Sequence, residues 1–323
     1  MSVLPRHTHD VITLGEVLAV FIAADGSPLG RSDRFQMTVA GAESNVAVGL
    51  ARLGHDVAFV GRVGDDALGR RALRELRAEG VDVDGVVVDA DRATAVLVRD
   101  APTVGTTEVV YHRAGSAGSA LRPDDLDLAS IAGARLLHVT GITAAISSSA
   151  FEACVLAAET ARASGTTVTF DPNVRRRIGT RDGWRTIVET MTPLADVVLV
   201  GADDASYVLP DAERTAVATW FHRRGVDTVV WKDGAHGSAE IGAHDDVVEQ
   251  PAVTVPVVDA VGAGDAFAAG WISGWLDGVD VRTRLLRAAT SAASVVANVG
   301  DLPGLPDRAA LATLLGPTRE MNR

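Results

Sequence analysis

The sequence predicts an α/β fold: a doubly wound, mainly parallel sheet covered by helices on both faces, with a small β lid. Three observations predict it. Short β-branched runs alternate with segments of helical period. The runs are apolar at nearly every position, as strands buried on both faces must be. Two stretches, 16–39 and 93–113, instead hold paired extended runs with no helix between them.

The elements follow in order. Residues 1–9 (MSVLPRHTH) carry no pattern and read as a frayed start, and VITLG at 11–15 is the first strand. Region 16–39 pairs VLAVFIA with RFQMTVA as an antiparallel hairpin. A helix is expected over 43–53, where Val46, Leu50 and Leu53 share a face. VAFVG (57–61) is a strand, and the glycine-rich turn GRVGDDALG (61–69) leads into a helix over 67–79 with Leu68, Ala72, Leu73 and Leu76 on one side. Region 93–113 pairs TAVLVRD with TTEVVYHR. Strands at 134–141, 166–173, 195–200 and 227–231 then alternate with helices at 148–163 and 212–223. Last, a strand-like run ending at Asp259 meets a helix carrying Phe267, Trp271 and Trp275 on one face. One domain over 10–315 holds all of this. Ligands of such sheets bind beyond the carboxyl ends of the strands, so the two hairpins form a lid over that edge. Their free edges suggest a homodimer or a higher homo-oligomer.

Composition narrows the class. The chain has 323 residues, 47% hydrophobic and 22% charged, which is ordinary globular usage and long enough to bury a core without staples. A single cysteine, Cys154, excludes an internal disulfide and any multi-cysteine metal centre. With 42 acids against 30 bases the net charge is −12, which argues against a nucleic-acid partner. No apolar run reaches membrane-spanning length and no signal segment is visible, so a cytoplasmic protein with no membrane partner is expected. Lys232 is the only lysine; the other 29 bases are arginine. That excludes a Gly-Lys-Ser/Thr phosphate loop, and HExxH and GxSxG are absent too. It also marks Lys232 as a candidate for a site that needs a compact ammonium rather than a planar fork.

Four motifs carry chemistry. In VVDAVGAGDAFAAGWISGW (257–275), Gly262, Ala263 and Gly264 open a helix whose amides and dipole suit an anion. Asp265 sits in its first turn, where an acid beside a phosphate suits a general base; a plain dipole-favoured acid is the bland alternative. A dinucleotide fingerprint fails because Phe267 stands where the third glycine belongs. In AGAESNVAVGLARLG (40–54), the Asn45 amide could hold a polyol, or Ser44 or Asn45 could simply cap the helix. GRVGDDALG reads as structural when taken alone. WKDGAHG (231–237) ends a strand with the lone lysine and two glycines three apart, a turn against which a nucleotide could lie.

Together these motifs resemble the ribokinase-like, or PfkB, carbohydrate kinases, over about residues 10–315 and in family order. The resemblance implies a ribokinase-like fold, ATP with Mg2+, and in many members a monovalent cation such as K+; it leaves the metal ligands unspecified. It implies Asp265 as catalytic base, with Gly262, Ala263 and Gly264 as the anion hole. Lys232, Asp233, Gly234, Ala235, His236 and Gly237 would border the nucleotide, with Asn173 and Arg175. Gly41, Ala42, Glu43, Ser44 and Asn45 would meet the sugar. Val20 stands where ribokinases and adenosine kinases carry a sugar-binding Asp, which argues against ribose and nucleosides. Ala260 stands where many members have Thr. GE (15–16), GAESN (41–45), YHRAGSAGSAL (111–121), LLHVTGITAAIS (136–147) and DPNVRR (171–176) are most similar to 2-keto-3-deoxygluconate kinases, with Leu97 where some relatives have a substrate-contacting Tyr. In those kinases the residues matching Arg113 and Arg175 hold the substrate carboxylate, with Tyr111 beside them on the lid. A sugar acid is therefore the expected substrate, because a guanidinium grips a carboxylate in a bidentate fork that a neutral hexose cannot use. Fructokinase, or another sugar kinase of the family, is the near alternative, and a non-catalytic sugar-binding regulator the distant one.

Overall fold

The computed structural model describes residues 8–24, 26–100, 107–244 and 246–316. Its strands are β1 (Val11–Leu14), β2 (Leu18–Ala23), β3 (Phe35–Ala40), β4 (Val57–Gly64), β5 (Val86–Asp89), β6 (Val96–Arg99), β7 (Val109–His112), β8 (Leu136–Thr140), β9 (Thr167–Asp171), β10 (Val197–Gly201), β11 (Thr228–Lys232), β12 (Ser238–Gly242) and β13 (Val247–Gln250). Its helices are α1 (Ala42–Arg52), α2 (Ala67–Ala78), α3 (Leu128–Gly133), α4 (Gly141–Ile146), α5 (Ser148–Ser164), α6 (Arg181–Met191), α7 (Ala202–Val208), α8 (Arg214–His222), α9 (Ala263–Leu276), α10 (Val281–Val296) and α11 (Arg308–Leu315).

The main sheet runs β13-β12-β11-β10-β9-β8-β1-β4-β5, parallel from β11 through β5 and antiparallel at β12 and β13. Its strands are buried on both faces because successive side chains point to opposite sides. Ile12, Leu14, Leu137, Val139, Val198 and Val200 pack on one side with the Ala-rich α5. Val11, Leu136, Val197 and Leu199 pack on the other with Phe267, Trp271 and Ile272 of α9. The order reverses at β1, between β4 and β8, and a crevice at such a point is where ligands bind.

The lid is a separate four-stranded sheet, β3-β2-β6-β7. Both expected hairpins form, β2 with β3 and β6 with β7, and they join through a parallel β2–β6 pairing. Thr106, at the start of the TTEVVYHR run, lies outside the described residues.

Several expectations change. Residues 1–7 of the frayed start lie outside the described residues, but Thr8 is tied down: its amide donates to Gly133 O and its hydroxyl to Ser130 O, both at 3.0 Å. β4 continues three residues past the expected 57–61, so 61–64 is strand and the turn is shorter. The run up to Asp259 is not a strand. Pro251 and Pro256 interrupt its amide donors, Val257 is 74% exposed, and the amides of Val258 and Asp259 dock instead on Val296 O. Helix α1 begins at Ala42 with Gly41 as N-cap and no side-chain cap, so neither Ser44 nor Asn45 caps it.

Candidate active site

A cleft of about 1080 Å³ opens at the carboxyl ends of the strands, walled by the lid and by the first turns of α1, α7 and α9. Strand ends supply much of its chemistry: Gly201 and Lys232 end β10 and β11, and Asp203, Asp204 and Asp233 follow at once.

The α9 end is built by Gly262, which lies at φ 82°; a Cβ there would also come 3.1 Å from Asp301 Cα. First-turn amides of a helix have no intrahelical acceptor and sit at its positive end. Ala263 N turns back toward Ala260 O at 3.4 Å, and Ala263 does not line the cleft, which leaves the turn's cleft-facing surface to Gly262, Gly264 and Asp265.

Asp265 is buried, and its Oδ2 accepts the Asn45 side-chain amide at 2.8 Å. The same Asn45 nitrogen donates to Asp301 Oδ2 at 3.0 Å, and Asn173 Nδ2 approaches Asp265 Oδ1 at 3.5 Å. Burial pushes the Asp265 carboxyl up to about 7; Asp301 and Asp171 add to the rise, while the Asn45 amide and Arg175 oppose it. A carboxylate poised there can accept a proton at neutral pH. Asn173, expected at the nucleotide, stands beside Asp265, held at φ 43° with its backbone amide on Asp171 Oδ1.

At the β9–β11 end, Asp233, Gly234, Ala235 and His236 line the cleft. Gly237 does not; its carbonyl accepts Asp233 N at 2.9 Å and closes the turn. Lys232 reaches the cleft, but its Nζ is bonded to buried Asp171 Oδ2 at 2.5 Å. Asp204, in the first turn of α7, accepts Val174 N at 2.9 Å and Gly201 N at 3.3 Å. Burial, then the neighbouring Asp171, pushes it up to about 6. Arg175 and Arg176 line the cleft, whereas Arg177 donates to the lid at Val109 O, 2.9 Å away. All three are exposed, but they differ in what they face.

At the lid end, Gly41 lets the backbone pass Glu16; a Cβ on it would lie 2.0 Å from Glu16 O. Ala42, Glu43 and Asn45 line the cleft, but Ser44 does not, its hydroxyl donating to Gly41 O at 3.0 Å. Glu43 Oε1 accepts both Thr140 and Thr143 hydroxyls at 2.6 Å, Oε2 has no partner, and burial pushes the group up to about 7. Arg113, expected to hold a substrate carboxylate, has its Nε and Nη2 bound to one oxygen of buried Glu16. A guanidinium has five donors, so the pair still leaves some for a ligand. Tyr111 lies 5.0 Å from that guanidinium. Leu18, Val20 and Leu97 make the lid wall apolar.

The sequence reading missed Glu16, Arg99, Asp171, Asp204 and Asp301 as members of this cluster. A signal existed for two of them: Asp171 ends a strand inside DPN, and Asp204 follows the end of β10.

The family model of the pfkB carbohydrate kinases matches residues 8–308. The chain belongs to the pfkB carbohydrate kinase family. This kinase is 35% identical over 319 residues to a 2-dehydro-3-deoxygluconokinase of Bacillus subtilis, covering 97% of this chain and 98% of that one. It is 29% identical to a probable fructokinase of Arabidopsis thaliana, over 96% and 93% of the two chains. Its fold superposes on a PfkB protein from Polaromonas with a TM-score of 0.87 and 37% identity, covering 94% and 99%. The ribokinase-like fold and a sugar phosphotransferase using ATP follow from that membership. Among the described residues no helix is long and apolar enough to cross a membrane.

Proposed function

We propose that this kinase phosphorylates the terminal hydroxyl of 2-keto-3-deoxygluconate, with Asp265 as general base. The carrying observation is the arrangement of one cleft: a buried carboxylate near neutrality at a helix N-terminus, with Arg113, Tyr111 and an apolar lid wall at one end and the WKDGAHG turn at the other. Asp265 takes the proton of the terminal hydroxyl. The freed oxygen bonds to the γ-phosphorus of ATP as the bond to the β-phosphate oxygen breaks, giving ADP and the 6-phosphate. The amides opening α9 meet the charge that spreads over the transferred group. Arg175, exposed in the cleft, and the remaining donors of Arg113 are suited to the substrate carboxylate. The similarity to the Bacillus subtilis 2-dehydro-3-deoxygluconokinase supports the same substrate.

Mg2+ is the cofactor this chemistry implies. Asp204 fits it: a hard oxygen donor facing the cleft, with Asp171 behind it and its charge held back by burial. Bound there, the ion would neutralise phosphate charge, and the protein's own part is to keep Asp204 fixed through Val174 N and Gly201 N.

One observation favours a second reading, fructokinase: Glu16 already balances Arg113, and a neutral ketose needs no further charge. ADP release over a panel at equal concentration separates them. The expected order is 2-keto-3-deoxygluconate well above fructose, ribose and adenosine, by roughly a hundredfold if two charge-assisted bonds are at stake. Arg175→Ala should raise the KM for the acid and leave that for ATP nearly unchanged. Fructose outpacing the keto acid would overturn the substrate and leave the kinase standing. Asp265→Asn should fold, bind ATP and lose turnover by about a hundredfold or more; near-normal turnover would remove Asp265 as base.

A further inference from the structure

A positive charge fixed beside the anion-binding turn assists phosphoryl transfer, and the family resemblance implies a monovalent cation in many members. A cation already held by the acidic side chains around that turn would take its place. Two buried carboxylates flank the Gly262 turn, Asp259 and Asp301. Asp259 is engaged through both oxygens and Asp301 through one. Asp259 Oδ1 accepts Val261 N at 3.1 Å; its Oδ2 accepts Gly300 N at 3.1 Å and Arg99 Nη2 at 2.5 Å. Asp301 Oδ2 is taken by Asn45, and the charge on Arg99 acts on Asp301 as well.

Arg99 is an unusual occupant of this place. It is 1% exposed and among the largest fully buried side chains. It belongs to β6, a lid strand, where it shares a face with Leu97 and so points toward the cleft that both residues line. A buried guanidinium is costly unless its charge is met, and what meets it is the start of the turn that opens α9. From there the bonds run on without a gap. Asp259 holds Gly300 N, the next residue Asp301 holds Asn45, and Asn45 holds Asp265.

We propose that Arg99 is a chain-borne substitute for a monovalent cation: a positioning residue whose guanidinium clamps the 259–262 and 300–301 turns into the shape of the anion hole, so that turnover needs no added K+. A guanidinium cannot diffuse away, and this one is carried by the lid. The anion hole is therefore assembled only when β6 is seated. The inference rests on phosphoryl transfer at Asp265 and not on which sugar is used.

The test measures turnover of the full chain with ATP, Mg2+ and its best sugar in K+, Na+ or tetramethylammonium chloride, at a constant ionic strength of about 100 mM. The expected result is rates equal within about twofold, with no K+-specific rise in melting temperature, as for a charge site already filled. Arg99→Met should lower kcat by about tenfold or more with the sugar KM little changed, as expected for lost transition-state stabilisation. K+ or guanidinium should restore part of that loss and raise the variant's melting temperature. Strong K+ activation of the wild type overturns the proposal. So does a variant that keeps its kcat, or one whose loss neither ion restores. If Arg99→Met does not fold, Arg99→Lys serves: retained K+ independence supports the proposal and acquired K+ dependence opposes it. If no sugar is phosphorylated, the function above fails, while the wild-type melting series still decides whether a K+ site exists.

Discussion

At the scale of single residues, the proposed chemistry turns on how one carboxyl group is held. Asp265 is driven toward its protonated form by burial and by two neighbouring acids, and toward its ionised form by the Asn45 amide and Arg175. A base must be ionised to act, so kcat should fall as pH drops through about 7. Asn45→Ala removes a donor that favours the charged form, so the acid limb should move to higher pH. A pH–rate profile of both proteins checks this; a limb that stays put or moves down would mean that Asn45 does not tune the base. Asp265 and Asn45 were legible in the sequence because glycines and small residues announce helix starts around them. Their partners were not. Asp301 lies 256 residues from Asn45 and Asp171 61 from Lys232, separations that no local pattern spans. Lys232 stood out by composition, yet its nearest charge is a protein carboxylate, which only the fold could reveal.

At the scale of elements, the buried parallel strands were read almost in full because each is apolar on both faces. The error at 253–259 has the same root. Val253, Val255, Val257 and Val258 look like a strand until the prolines beside them are counted as missing donors, and the chain there packs on α10 through two amides instead. The antiparallel edge β12–β13 and the helices α6 and α10 went unread. The lid was legible from the lack of a helix between its strands, but not the parallel β2–β6 joint that makes four strands one sheet. Among the described residues no strand pairs beyond its outer strands, β3 and β7, and Phe35, Val110 and Tyr111 are exposed there. Unpaired edges of this kind invite pairing with a second copy. The chain is expected to self-associate through the lid, and Phe35→Asp to weaken that association. Light scattering at about 10 μM, where stable interfaces persist, would count against it by showing wild-type monomer alone.

At the scale of the whole molecule, the cleft holds a store of unfavourable charge. Glu43 and Asp265 are each pushed up to about 7 and Asp204 to about 6, chiefly by burial. The folded chain therefore binds protons more tightly than the unfolded chain, whose carboxyls titrate near 4. Between those values the native state carries the extra protons, so stability falls as pH rises from about 4 to 7. Asp89 works the other way: held down to about 2, first by the Asp91 amide and further by Arg62, it contributes stability that is lost only as pH falls below the usual carboxylate range. The ligand-free enzyme should thus melt highest on the acid side of neutrality. Glu43 offers the cleanest test, because its charge has no cationic partner. Glu43→Gln keeps an oxygen for the Thr140 and Thr143 hydroxyls and removes the ionisation. At about pH 4, where wild-type Glu43 is mostly protonated in the folded and the unfolded chain alike, the two proteins should melt nearly together; at pH 8 the variant should melt higher, by about 3–6 °C for a shift of this size in a chain this long. Calorimetry of the ligand-free proteins across that range checks it. A variant that melts lower at pH 8 would show that Glu43 is stabilised in its ionised form by something other than those two hydroxyls, and that the cleft does not store charge at this position.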